Sequence, residues 1–444
     1  MKEKDIPIFK TLVYKNNCYL YDPYTNNVFL ITHKHSEELK ILHAIGLSEY
    51  LMISEGNKEH DDIVTLINKG MLKSNFIEKI YNPHTPYIER LLNRCVSDIT
   101  LQITKNCNFR CQYCLFATDS KVERVHENSN MSWTIAKESI DFLYSHSMDC
   151  PNVNIAFYGG EPLMNFNLIK KIVLYAENLF VSKKIRYIMT VNGSLLTETI
   201  VDFLVKYDFN ITVSLDGPQD VQNRHRKFSY SGLGTFDSVM AGVKRIKEKY
   251  PEYFNSSVSF SPVIFPDEDY KEVLSFYQSI GVDLEKVNAN AASLSGIDYI
   301  ERGLSEQYNY RDLSENKNDA IFNDKSQINS IWHHNGPCIP GLRKLFIDTR
   351  GNFYTCEKFV ENINSSIGNL KKGFDYTKVK RYLNIGELTE KECKSCWAVR
   401  FCSICAMSCI NIENGELDVN SKKIMCITQK KKAIDLLKKY ISIQ

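Results

Sequence analysis

The stretch Ile99-Thr100-Leu101-Gln102-Ile103-Thr104-Lys105-Asn106-Cys107-Asn108-Phe109-Arg110-Cys111-Gln112-Tyr113-Cys114 decides how this chain is read. Its first half predicts a strand over 98–104. Its second half sets three cysteines, spaced C-x3-C-x2-C, in the loop that follows. Three thiolates in one tight loop can hold three irons of a 4Fe–4S cube and leave the fourth iron without a protein ligand. Electron-transfer clusters instead use four cysteines. The alternative is structural zinc, which takes four ligands, and no further Cys or His follows Cys114 within ten residues.

Downstream, strand-like runs alternate with amphipathic helical runs. Strands are expected over 152–158, 185–192, 209–215, 255–264 and 284–289, and helices over 133–147, 167–181 and 235–250. With 98–104 this predicts βαβ units, an α/β fold and a partial (β/α)6 TIM-like barrel rather than a complete eightfold one. Three motifs stand at the carboxyl ends of expected strands, where barrel active sites form. They are Tyr158-Gly159-Gly160-Glu161-Pro162, Thr190-Val191-Asn192-Gly193 and Ser214-Leu215-Asp216-Gly217-Pro218.

The cysteine loop with an aromatic before its third cysteine, and these motifs in this order, resemble the radical S-adenosylmethionine (SAM) enzymes. The resemblance implies one SAM-binding 4Fe–4S cluster on Cys107, Cys111 and Cys114, and SAM on the open iron. Tyr113 would lie against the adenine, unless it is a core aromatic. Gly159, Gly160, Glu161 and Pro162 would grip the SAM amino group, the glycines letting backbone come close. Asn192 belongs to the family's T-x-N-G motif. Ser214 and Asp216 would contact the ribose or methionyl part. Arg226 would match the arginine of an H-D-x-x-R motif, in which Gln222-Asn223 here replace His-Asp. Val263 and Ile264 border the adenine or belong to the core.

A second cysteine group comprises Cys338, Cys356, Cys393, Cys396, Cys402, Cys405, Cys409 and Cys426. It resembles the SPASM extension of radical SAM enzymes, which holds two auxiliary 4Fe–4S clusters, making three clusters in all. By that resemblance Cys393, Cys396, Cys402 and Cys426 hold the outer cluster. Cys338 and Cys356, with Cys405, Cys409 or both, hold the inner one. The usual C-x3-C ending is missing: Cys405 follows Cys402 at x2 and Cys409 at x6. Two zinc sites are the alternative. Glu357 follows Cys356 where sulfatase-maturating relatives carry a proton-accepting acid; as a general base it needs burial to tune its pKa.

Residues 1–85 read as a small α+β unit: strands over 8–14 and 18–21 around a turn at Asn16-Asn17, a strand at 28–31, then helices from Ser36 and up to Gly70. Ahead of a radical SAM and SPASM pair, this order resembles the winged-helix-like peptide-recognition element of enzymes that mature ribosomally made peptides. Such an element takes a leader peptide as an added strand. Residues 95–300 are expected to be the radical SAM barrel, 301–336 a solvated connector, and 337–444 the SPASM domain, with a basic amphipathic helix over 430–441. Asn82-Pro83-His84-Thr85-Pro86 reads as a linker.

The 444 residues carry a formal net charge of +2, which suggests no nucleic-acid partner. No stretch approaches the ~20 apolar residues of a membrane span, and no signal core opens the chain. Clustered reduced cysteines fit a cytoplasmic setting; Cys18, Cys95 and Cys150 stand alone and read as small buried residues. The expected function is a peptide maturase. A 5′-deoxyadenosyl radical would abstract hydrogen from a precursor peptide with a leader and form a cross-link, a cysteine thioether first, as in sactipeptides and ranthipeptides. A carbon–carbon cross-link and an anaerobic sulfatase-type formylglycine enzyme are the alternatives, and a zinc-rich binding protein is the non-enzymatic one. The resemblance implies a flavodoxin or ferredoxin as electron donor.

Overall fold

The structure is a computed structural model that describes residues 5–53, 56–114, 126–265, 270–291, 322–333, 338–359, 361–411 and 413–443. The N-terminal unit is an antiparallel meander of Lys10–Tyr14, Asn17–Asp22 and Asn27–Ile31, in that spatial order. Lys15 and Asn16 turn the first hairpin with φ of 46° and 65°. Two left-handed residues match a two-residue primed turn, so the turn falls one residue earlier than Asn16-Asn17. Helices His33–Ile45 and Lys58–Asn68 follow, their first turns capped by Thr32 and Asn57. Leu39, Leu42 and Ile63 pack with Leu20 and Tyr50 into a small core.

The central sheet runs in the order Val258–Phe260, Asn210–Val213, Lys184–Val191, Asn152–Gly159, Asp98–Thr104, and these five strands are parallel. Helices Trp133–His146, Phe166–Leu179 and Phe236–Lys249 cover it within two residues of their expected ends. The mixed α/β, parallel, TIM-like reading holds. Two strands do not fall as expected. The run 255–264 starts inside the helix Pro251–Ser257, which proline opens at its first position. It then splits into Val258–Phe260 and Val263–Ile264. The run 284–289 starts as a 3₁₀ turn, Leu284–Lys286, because Asp283 caps it. Only a parallel bridge from Val287 to Phe260 and the short strand Asn290–Ala291 against Val263–Ile264 complete the sixth position.

Past the first barrel strand the sheet continues into the cysteine-rich region. Leu345–Ile347 pairs parallel with Ile99–Leu101, and Asn352–Tyr354, Gly368–Asn369 and Gly373–Phe374 extend it antiparallel. The cysteine-rich region is thus hydrogen-bonded to the strand that delivers Cys107.

The described part of the connector is mostly exposed, but it is anchored to the body. Ile331–Trp332 pairs with Lys79–Ile80, and Phe322 and Ile328 are buried. Apolar side chains there have found partners on both neighbouring units; residues 301–321 and 334–336 lie outside the described residues. Nor does 82–86 hang free. Asn384 accepts from the Asn82 N–H at 2.8 Å and donates to Thr85 Oγ1 at 2.9 Å. The C-terminal helix spans Val419–Ile443, eleven residues earlier at its start than expected, and carries Cys426. Among the described residues no helix is long and apolar enough to cross a membrane.

Candidate active site

The cysteine loop is built onto the carboxyl end of the first barrel strand. After Cys107 the chain forms a short strand, Phe109–Cys111, antiparallel to Arg226–Phe228, which sets Cys111 opposite Arg226. Cys107 Sγ accepts from the Phe109 N–H at 3.3 Å. Burial pushes the Cys107 thiol up to about 12, with Glu161 adding to it, and the Cys111 thiol likewise up to about 12. Both feel Cys114, so the three thiols converge. Cys114 Sγ also lies 3.7 Å from His126 Nε2, a histidine just outside the ten-residue window considered in the sequence.

Gly159-Gly160-Glu161-Pro162 lies beneath this loop. A Cβ on Gly159 would come within 2.1 Å of the Thr104 carbonyl oxygen, and one on Gly160 within 2.2 Å of that of Asn106. The Gly160 and Glu161 N–H groups donate to these same two carbonyls at 3.0 and 2.8 Å. The glycines therefore serve a close approach within the protein, of the second strand's end to the root of the cysteine loop. The buried Glu161 carboxylate accepts from the Asn192 N–H at 2.6 Å and the Leu163 N–H at 3.1 Å, joining the second and third strand ends. Burial pushes its pKa up to about 7 against these two bonds. Asn192 Nδ2 donates to Asn108 Oδ1 at 2.8 Å, and Asn192 Oδ1 accepts from Ser194. Asn108 sits inside the cysteine loop, between Cys107 and Cys111. It is a positioning residue that no motif singled out.

Asp216 is engaged by the protein's own side chains. It is fully buried, and its carboxylate accepts from Arg226 Nε and Nη2 at 2.9 and 3.0 Å, the Val263 N–H at 2.9 Å and Tyr113 Oη at 2.6 Å. The Arg226 guanidinium lies 5.2 Å from the Tyr113 ring centre. Arg226, Asp216 and Tyr113 therefore form one intramolecular brace behind the cysteine loop, because a buried guanidinium demands a carboxylate at short range. Ser214, at the end of the same strand, remains partly exposed.

Within the second cysteine group, most of the cysteines influence one another electrostatically. Cys402 feels Cys396, Cys393 and Cys426, and Cys396 feels Cys393 and Cys426. Cys356 feels Cys405, and Cys409 feels both Cys405 and Cys426, so Cys409 lies between those two. Burial raises the Cys356 thiol to about 11 and the Cys402 and Cys409 thiols to about 12. Cys338 is exposed. Among the described residues no three ligating side chains meet tightly enough to hold a single metal ion. The thiols nonetheless group into the first loop and the C-terminal region, a donor chemistry that fits iron–sulfur clusters.

Glu357 is partly exposed beside Cys356 and raises that thiol's pKa. A carboxylate that sequence reasoning missed lies four residues on. Glu361 is nearly fully buried, accepts from Gln102 Nε2 at 2.6 Å, and pairs with Lys105 Nζ at 3.3 Å. It joins the cysteine-rich region to the first barrel strand, and only the strand pairing of 345–347 with 99–101 brings it there.

The Radical SAM superfamily matches residues 101–280. The radical SAM cyclopropyl synthase TigE of Paramaledivibacter caminithermalis is 26% identical over 245 residues, 51% of this chain and 49% of TigE. The cysteine-type anaerobic sulfatase-maturating enzyme of Clostridium perfringens is 24% identical over 344 residues, 71% of this chain and 90% of that enzyme. The chain thus spans about half of TigE's length, and 62% of that of a further curated relative. Among solved structures, anSMEcpe with bound AdoMet and the Cp18Cys peptide has a TM-score of 0.53 at 17% identity, covering 76% of this chain and 98% of its own, a likeness of fold. With its three-thiol loop seated on the first strand of a parallel sheet, the chain carries a Radical SAM domain over residues 101–280 and is similar to radical SAM maturases.

Proposed function

We propose that this enzyme matures a ribosomally made precursor peptide, forming a cross-link from a cysteine sulfur to a carbon. The observation that carries the reading is the pairing of a three-thiol loop with a second cysteine-rich region whose strand Leu345–Ile347 is hydrogen-bonded to the strand that delivers Cys107. On this reading Cys107, Cys111 and Cys114 hold the SAM-binding cluster. Cys393, Cys396, Cys402 and Cys426 would hold an outer auxiliary cluster, and Cys338 and Cys356, with Cys405, Cys409 or both, an inner one. Bound in the loop, SAM and its cluster would supply a 5′-deoxyadenosyl radical. The chain's own residues then orient and move protons. Tyr113, fixed by Asp216, would lie against the adenine. Glu161 and Asn192 hold strand ends two and three against it. Glu357 would take the cysteine proton as general base.

Residues 1–85 would recognise the leader, 95–300 carry the radical chemistry, and 337–444 the auxiliary clusters. Strands Lys10–Tyr14 and Asn27–Ile31 are the two edges of the N-terminal meander, with Val13 and Leu30 exposed on them. An edge offers backbone groups to an added strand. A cytosolic flavodoxin or ferredoxin would deliver the electron.

The test is anaerobic turnover of the reconstituted full chain with a cysteine-bearing precursor peptide. A thioether enzyme releases 5′-deoxyadenosine and gives a product lighter by a pair of hydrogens whose thiol no longer alkylates. A product lighter by the same pair with its thiol still reactive means a carbon–carbon link, and loss of the sulfur to an aldehyde means formylglycine. Val13→Asp or Leu30→Asp should raise KM for the leader-bearing peptide and leave kcat unchanged.

A further inference from the structure

Lys422 stands on the C-terminal helix four residues before Cys426 and is fully buried. Its Nζ donates to Thr389 Oγ1 at 2.6 Å and to the Gly386 carbonyl at 3.2 Å, and lies 3.6 Å from Cys393 Sγ. Thr389 Oγ1 is itself 3.4 Å from the same sulfur. A carbonyl, a hydroxyl and a thiol are all neutral. No carboxylate pairs with Lys422 among the described residues; the neighbouring Lys423 takes Glu392 instead.

A lysine is almost never fully buried unless it is paired. The anion Lys422 lacks is the one its neighbours become on binding metal, since a metal-bound cysteine is a thiolate. Cys426, one helical turn on, feels the Lys422 charge, as does Cys409. The Lys422 side chain therefore sits against Cys393 of the outer ligand set.

We propose that Lys422 is the charge partner of the outer auxiliary cluster, donating to the Cys393 sulfur and making that cluster easier to reduce. The proposal rests on the reading of Cys393, Cys396, Cys402 and Cys426 as iron–sulfur ligands. Hydrogen bonds to ligand sulfurs and local net charge both set a cluster's potential. A positive charge held in place favours the state with the additional electron. Lys422 is thus a positioning and tuning residue, without contact to substrate.

The test uses the reconstituted full chain in two measurements. The first is a redox titration followed by electron paramagnetic resonance, comparing wild type with Lys422→Gln and Lys422→Arg. Gln, which removes the charge, should shift one cluster signal to lower potential at unchanged iron content, and Arg should restore it. The second needs no substitution: pulsed resonance on the reduced wild-type protein carrying 15N-lysine should show a weak nitrogen coupling on that signal. An unmoved potential in iron-replete Lys422→Gln, or no lysine coupling in the labelled wild type, overturns the proposal. A control separates it from the reading beneath it: if Cys396→Ala keeps full iron and every cluster signal, the ligand assignment itself has failed.

Discussion

Gly160 sits where no methyl group fits, because the Asn106 carbonyl fills that space. Gly160→Ala must displace the root of the cysteine loop, at a cost of about 2–4 kcal/mol. We expect a lower melting temperature and incomplete iron in the loop cluster, read by iron analysis and SAM-cleavage rate. Full iron and wild-type cleavage would show that the two segments do not need this approach. Glu161 gives a pH signature. Its folded pKa of about 7 stands above its ordinary 4.5 because it is buried. The folded chain therefore keeps this proton over a range where the unfolded chain has lost it. Stability then falls as pH rises from 4.5 towards 7 and levels off above. The span corresponds to about 3 kcal/mol. In cluster-free protein, Glu161→Gln should flatten this slope in urea midpoints taken across the window; an unchanged slope would place its origin elsewhere.

At the scale of elements, Arg400 ties the N-terminal meander to the cysteine-rich region. The buried guanidinium donates to the Pro23 carbonyl at 2.6 Å, the Tyr24 carbonyl at 3.0 Å and the Ser326 carbonyl. Beside it Leu12 and Tyr21 share one apolar cluster with Phe401, Ala433 and Leu437, with Cys396 and Trp397 packed on it. Deleting residues 1–85 would strip this face, which is why single edge-strand substitutions are the cleaner test of leader binding. Arg400→Ala leaves buried carbonyls without a donor and should cost about 2–4 kcal/mol. Limited proteolysis should then cut first within 322–333, where wild type resists; an identical digestion pattern would mean the apolar cluster alone holds the units together.

For the whole molecule the prediction is an iron count. Three cubes require about twelve irons per chain. Cys107→Ala with Cys111→Ala should remove about a third of the iron and all SAM cleavage. Cys396→Ala should remove about another third and leave SAM cleavage in place. Because the free thiols are held protonated by burial, cluster assembly should also release protons and slow as pH falls. A wild-type chain with about four irons and the balance of its metal as zinc would confine the iron chemistry to the first loop.

The sequence by itself determined the barrel strands at 98–104 and 152–158, the three covering helices and the split of the cysteines into an early loop and a late group. These are local facts: periodicity, turn chemistry and the spacing of like residues within a few turns of chain. Tertiary structure alone decided that Leu345–Ile347 joins the first barrel strand, that Asp216 serves Arg226 and Tyr113, and that Asn108, Glu361 and Lys422 have roles at all. Each of those pairs residues far apart in the chain, and a buried charge finds its partner only when distant elements close around it. The run 284–289 failed for the opposite reason. Its apolar residues suit a strand, but one Asp283 side chain, bonding to a backbone N–H two residues on, turned its start into a helical turn.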